Sequence, residues 1–146
     1  MTSEVVKGTL DHAAAILADP SAITRSEMNN IGGDRVFLAG ICDSMKSGEA
    51  ETLLIDGIPA AQWGSRPVSG SLRSMWFAAR EPFFTLGAKG VLFSRRHVRS
   101  LSARHPGATF ECRSWSTHPD APKWFACLGF QYVETVGKCR VFRYFP

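Results

Sequence analysis

From residue 108 to residue 115 apolar and polar side chains alternate, with Phe110 and Cys112 on one side and Thr109, Glu111 and Arg113 on the other. A strand with one buried and one solvated face has this period of two. Read the same way, residues 4–10 predict a short first strand, and Asp11 caps a short helix through Ala18, with Pro20 just beyond its end. Residues 26–46 read as helical, with Ser26 as the cap and Gly32-Gly33 as an interruption. In the second piece Val36, Phe37, Gly40, Ile41 and Met45 approximate an apolar stripe. Residues 51–55 and 58–64 flank Asp56-Gly57, the preferred pair for a type I′ hairpin turn because both central residues need positive φ. Pro59 just after the turn suits a strand start or an edge. Residues 66–70 read as a loop, 73–79 as an apolar strand centred on Met75, Trp76 and Phe77, and 80–87 as a connection. A long helix over 88–105 lines up Val91, Ser94, Val98 and Leu101 and is ended by Pro106-Gly107. Residues 119–128 form a short helix with Pro119 near its start and Gly129 past its end. Residues 130–136 and 140–145 close the chain as a hairpin around Gly137-Lys138.

Helices inserted between strands of one sheet predict a mixed α/β layer structure. The 146 residues fit one domain, and no repeat, low-complexity stretch or linker divides 1–146. Ten Phe and four Trp argue against disorder, which needs few aromatics. Four cysteines (Cys42, Cys112, Cys127 and Cys139) are scattered singly, so they read as reduced, mostly buried thiols. No Cys/His cluster has zinc spacing, and no metal site is predicted. The N-terminus lacks a basic segment followed by an apolar core, and no apolar run approaches a membrane span; the expectation is a chain that is not secreted and has no membrane partner. Net charge is +4, but Lys89, Arg95, Arg96, Arg99 and Arg104 fall in one segment without an acid. That helix, 89–104, is a solvated face or a meeting place for an anion, nucleic acid included.

The segment from His118 through Trp124, Phe125, Leu128 and Gly129 to Phe130 resembles GNAT acetyltransferases, in which a polar residue ends a strand and a short helix leads to a Leu-Gly-Phe turn. The closer resemblance is to a GNAT-like family of short-tailed phages that includes a minor internal virion protein. It is carried by a hairpin ending at Gly64, the Trp76-Phe77 strand, the basic helix and the Trp-Phe-x-x-Leu-Gly-Phe run, and covers roughly residues 25–145. The resemblance implies a mixed, mainly antiparallel sheet flanked by helices.

It also implies a place for acetyl-CoA. In the family the pantetheine arm pairs with backbone of the strand that splays from its neighbour, here including Phe77 and Ala78, and pyrophosphate meets the N-terminus of the next helix. The matching loop holds Gly87, Ala88, Lys89 and Gly90. It departs from the family pattern: Phe84 stands where Gln or Arg is usual, Lys89 replaces a small residue, and Gly90 comes one position late. The Tyr that often protonates the leaving thiolate is Phe125 here, which has no proton to give. Glu81 and Glu111 are the carboxylates near the position of the family's base, and His118 stands where Asn is frequent; Glu81 and His118 are the candidate catalytic pair.

Three functions follow. One is a GNAT-like phage protein with degenerate catalytic machinery, located in the virion or the host cytoplasm and bound to other virion proteins or a host protein. The second is an acetyl-CoA-dependent N-acetyltransferase acting on an amine. The third is a nucleic-acid binder using helix 89–104. A basic, aromatic-rich chain of this size is also suited to forming a homo-oligomer.

Overall fold

The computed structural model describes residues 1–145. In chain order the elements are β1 (Ser3–Lys7), α1 (Leu10–Ala18), α2 (Ala22–Ile31), α3 (Asp34–Ser47), β2 (Glu49–Ile55), β3 (Ile58–Ser69), β4 (Leu72–Ala79), α4 (Glu81–Phe84), α5 (Ala88–Arg104), β5 (Thr109–Ser114), α6 (Ala121–Cys127), β6 (Phe130–Val136) and β7 (Cys139–Tyr144). One seven-stranded sheet takes the order β1-β2-β3-β4-β5-β7-β6. Every neighbouring pair is antiparallel except β4 and β5. This is the mixed, mainly antiparallel sheet flanked by helices that the sequence implies.

Local chemistry explains most boundaries. Asp56 (φ 50°) and Gly57 (φ 79°) take the left-handed backbone of a type I′ turn, so the β2–β3 hairpin forms where expected. Gly32 and Gly33, with φ of 122° and 104°, separate α2 from α3. Other boundaries moved. Leu10 belongs to α1 rather than to the first strand, because Thr9, not Asp11, caps it by accepting the His12 N–H. α2 begins at Ala22, earlier than a Ser26 cap predicts. Ser21 accepts the Thr24 N–H, and the Glu81 carboxylate accepts the Ala22 N–H at 2.8 Å, a cap delivered from a distant part of the chain. Residues 66–70 are not a loop: β3 runs to Ser69, and its exposed end pairs with β4 through Arg66–Ser74 and Pro67–Arg73. The register shifts just after Pro67, where the missing N–H is tolerated. α4 forms inside the expected connection 80–87. On α3, Ile41 and Ser44 are the buried positions, whereas Val36 and Gly40 of the predicted stripe face outward.

The core lies between the sheet and α4, α5 and α6, around Trp63, Phe83, Phe110, Leu101 and Phe142. Trp63 and Trp124 are buried, while Trp76 and Trp115 are only half-buried. The buried indole of Trp63 donates to Ser94 Oγ at 3.0 Å, which fixes α5 on β3. The far end of α5 is tied to β2: His97 Nδ1 meets Glu51 at 2.7 Å, and Glu49 meets both Arg104 and His105 Nε2 at 2.7 Å. The hydrogen bond from His97, with the charges of His97 and Arg104, holds the Glu51 carboxyl below its usual range against the opposing effect of burial. All four cysteines are free; Cys112 and Cys139 are buried, Cys42 is half-buried and Cys127 is exposed. No helix among the described residues is long and apolar enough to cross a membrane.

β4 and β5 pair only from Leu72–Thr109 to Met75–Cys112. Beyond that the two strands part, and residues 76–79 of β4 keep only β3 as a partner. On the outer face of this region the Trp76 ring lies over Gly64, where an added Cβ would fall 2.2 Å from a ring carbon. The ring cannot step aside, because its N–H is held by Ser44 Oγ of α3 at 2.7 Å. Gly64→Ala is therefore expected to destabilise the fold by about 1–3 kcal/mol, the usual cost of overpacking. Urea unfolding should show a lower midpoint with an unchanged slope.

Candidate functional site

The wedge between β4 and β5 is the site that the topology creates. Arg80 N–H bonds to Ala60 of β3, so by strand alternation the even residues of β4 face β3. Phe77 and Ala79 turn their N–H and C=O groups into the wedge. A buried backbone group needs a partner there, and α2 supplies several. Ser21 N–H donates to Ala79 O at 2.8 Å, and Ala79 N–H donates to Thr24 Oγ1 at 3.0 Å. On the opposite lip, Glu27 accepts from Ser114 Oγ at 2.5 Å and from Trp115 N–H at 2.6 Å. Ser26 Oγ accepts from Thr117 N–H at 2.9 Å. Ser21, Thr24 and Glu27 are all buried. Burial raises the Glu27 carboxyl above its ordinary pKa, outweighing the pull of Ser114, the Trp115 and Ser116 backbone and the Arg140 charge.

The loop before α5 has the predicted glycine at its turn. Gly87 takes φ 57° and ψ −124°, a backbone open to glycine alone, and Gly87, Ala88 and Lys89 are exposed. Gly90 is buried, and a Cβ there would meet Phe83 at 3.2 Å, so this glycine serves helix packing. The N–H groups of Lys89 and Gly90 bond back to Leu86 O at 3.3 Å and Gly87 O at 3.1 Å. Phe84 packs edge-on against Trp124, their ring centroids 5.4 Å apart, and Trp124 also meets Phe77 at 5.1 Å.

A groove of about 520 Å³ remains beside this aromatic contact. Ile23, Phe84 and Trp124 give it apolar walls, and Glu81, His118, Asp120 and Lys123 are its charged and polar groups. The fold thus brings together Glu81 and His118, 37 residues apart in the chain. Both are already engaged: Glu81 caps α2, and His118 Nδ1 accepts the Asp120 N–H at 3.1 Å at the start of α6. Glu111 does not reach the groove; it is buried on β5 between Arg113 (2.9 Å) and Arg143 (3.3 Å). Phe125 is buried with its ring 4.7 Å from that of Phe142. Ala78 is buried in β4, with its side chain on the opposite sheet face from Phe77. Sequence reasoning missed Ser21, Thr24 and Glu27. Their only signal was a Ser-x-x-Thr-x-x-Glu spacing that places three acceptors near one side of a helix start. Among the described residues no group of three or more His, Cys, Asp or Glu is placed to hold a metal.

No protein-family model and no curated protein matches the chain. Solved structures do. An acetyltransferase of the GNAT family from Staphylococcus aureus superimposes with a TM-score of 0.71 at 9% identity, covering 98% of both chains. The fold is that of the GNAT acetyltransferases. The GNAT domain of S. lividans PAT gives a TM-score of 0.71 at 12% identity, covering 99% of this chain and 90% of that one. A PaiA N-acetyltransferase from Thermoplasma acidophilum, in complex with coenzyme A, gives 0.69 at 8% identity over 99% of each chain. Against that fold the wedge is where the family resemblance puts the pantetheine arm. As folded, Ala79 does not fit it, because it already spends both backbone groups on Ser21 and Thr24.

Two outcomes follow from the wedge. Thr24→Val strands the buried Ala79 N–H and should cost about 1–3 kcal/mol in urea unfolding. The raised Glu27 pKa means that the folded state binds more protons than the unfolded state above the ordinary carboxylate value of 4.5. Stability contributed by this group is therefore greatest below that value and falls as pH rises through the folded pKa. Unfolding of the protein beside Glu27→Gln should show the advantage of the carboxyl form shrinking as pH rises above 4.5.

Proposed function

We propose that this GNAT-fold chain is an interaction module that does not transfer acetyl groups, and that it serves as a phage protein in contact with other virion proteins or a host protein. The observation that carries the first part is the double engagement of Ala79 by Ser21 and Thr24. A pantetheine arm would have to displace both bonds and strip a buried helix from the wedge. Phe125 supplies no acid for a leaving thiolate. Lys89 and Gly90 offer phosphate no free N–H, since both bond to carbonyls of their own loop. The phage setting is supported by the resemblance carried on Gly64, Trp76-Phe77 and the Trp124-to-Phe130 run.

The test is isothermal titration of acetyl-CoA into the full chain. No binding tighter than millimolar is expected. Micromolar binding would overturn the reading and return Glu81 and His118 to the list of catalytic groups to mutate.

A further inference from the structure

The basic helix is not uniform once folded. Arg104 is spent on Glu49 and Glu51 of β2. Arg96 lies on a separate side, beside Trp63 and His97. Arg95 and Arg99 stand one turn apart on the remaining face, both exposed, and neither has a carboxylate partner among the described residues. They line a depression of about 260 Å³ with Leu128, Gly129, Tyr144 and Phe145. Among the described residues no acidic side chain lines it.

Three features suit this depression to a nucleotide unit. Arg95 donates its Nε–H to the Cys127 carbonyl at 2.7 Å, which orients the guanidinium and leaves its two terminal amino groups for a phosphate. Arg99 adds a second cation on the same stripe. Phe145 is 55% exposed at the rim, next to the half-buried Tyr144. A large aromatic surface left in water beside paired arginines is the pattern that stacks a base while cations hold its phosphate. Gly129 keeps the floor shallow: a Cβ there would fall 2.9 Å from the Tyr144 ring.

We infer that Arg95, Arg99, Tyr144 and Phe145 form a binding site for single-stranded nucleic acid. The inference goes beyond the proposed interaction module and does not depend on the state of the wedge, which none of these four residues lines. It is tested by fluorescence anisotropy of a labelled eight-nucleotide oligothymidylate with the full chain. With about two phosphates neutralised, raising salt from 50 to 200 mM should weaken binding about sevenfold. Arg99→Glu should weaken it about tenfold or more, and Phe145→Ala about fivefold or more. Arg99 has no side-chain partner among the described residues, so the Arg99→Glu chain should keep its circular dichroism spectrum and melting temperature. Absence of binding at 50 mM salt would overturn the assignment, as would equal binding by Arg99→Glu. So would a labelled oligoglutamate that binds as well as the oligothymidylate, since base stacking would then play no part. Acetylpantetheine, which carries the arm expected in the wedge but no nucleotide, should leave oligonucleotide binding unchanged when titrated in parallel, which separates this site from the wedge.

Discussion

Where β4 and β5 part, two strands lose each other as hydrogen-bond partners inside the protein. That loss has to be made good, because an unpaired backbone group in an apolar interior costs as much as several ordinary contacts return. α2 makes it good on both lips at once, through Ser21 and Thr24 on β4 and Glu27 on β5. Much of the surrounding architecture answers to that insertion. The Glu81 carboxylate of α4 reaches the first N–H of α2, and Ser26 holds the chain leaving β5. The groove between α2, α4 and α6 is what the insertion leaves open.

The same geometry separates what the fold fixes from what the site decides. A GNAT sheet is defined by the splay, and the splay is kept here. The resemblance implies that its free backbone groups meet an acyl-CoA; in this chain Ser21 and Thr24 at the start of α2 take up those of Ala79. A fold hosts chemistry only where its site keeps the groups that the chemistry needs. Glu27 shows the cost of the replacement. Its carboxylate is buried, accepts hydrogen bonds from Ser114 and Trp115, and still has its pKa pushed upward by desolvation. Nothing in such a group is poised toward an open site, and its hydrogen bonds describe a structural tie.

Charge on α5 is sorted by its neighbours. β2 brings Glu49 and Glu51 against the inner end of the helix, where Arg104, His97 and His105 meet them. Among the described residues the outer stripe of Arg95 and Arg99 meets no acid, and it stands beside Tyr144 and Phe145. A segment that reads as one basic run is thus two surfaces of different character, one internal to the fold and one available to an anion.

Local patterns were enough for the order of elements: the Asp56-Gly57 turn, the alternation around Phe110 and Cys112, the glycine break at Gly32-Gly33 and the Pro106-Gly107 stop each act over a few residues. The departures at Phe84, Lys89 and Phe125 were legible for the same reason, since each is a matter of which side chain stands at one position. Tertiary structure alone decided the rest. Ser26 was a plausible cap until Glu81, 59 residues away from Ala22, supplied a better one. Pro67 and the serines around it suggested a loop until β4 paired with them. Glu27 falls in the segment 26–46 read only as helical, and its importance comes from Ser114 and Trp115, 87 and 88 residues further on. Hydrogen bonds between elements far apart in the chain leave no periodicity behind, so the partner of a polar side chain is written only in the folded structure.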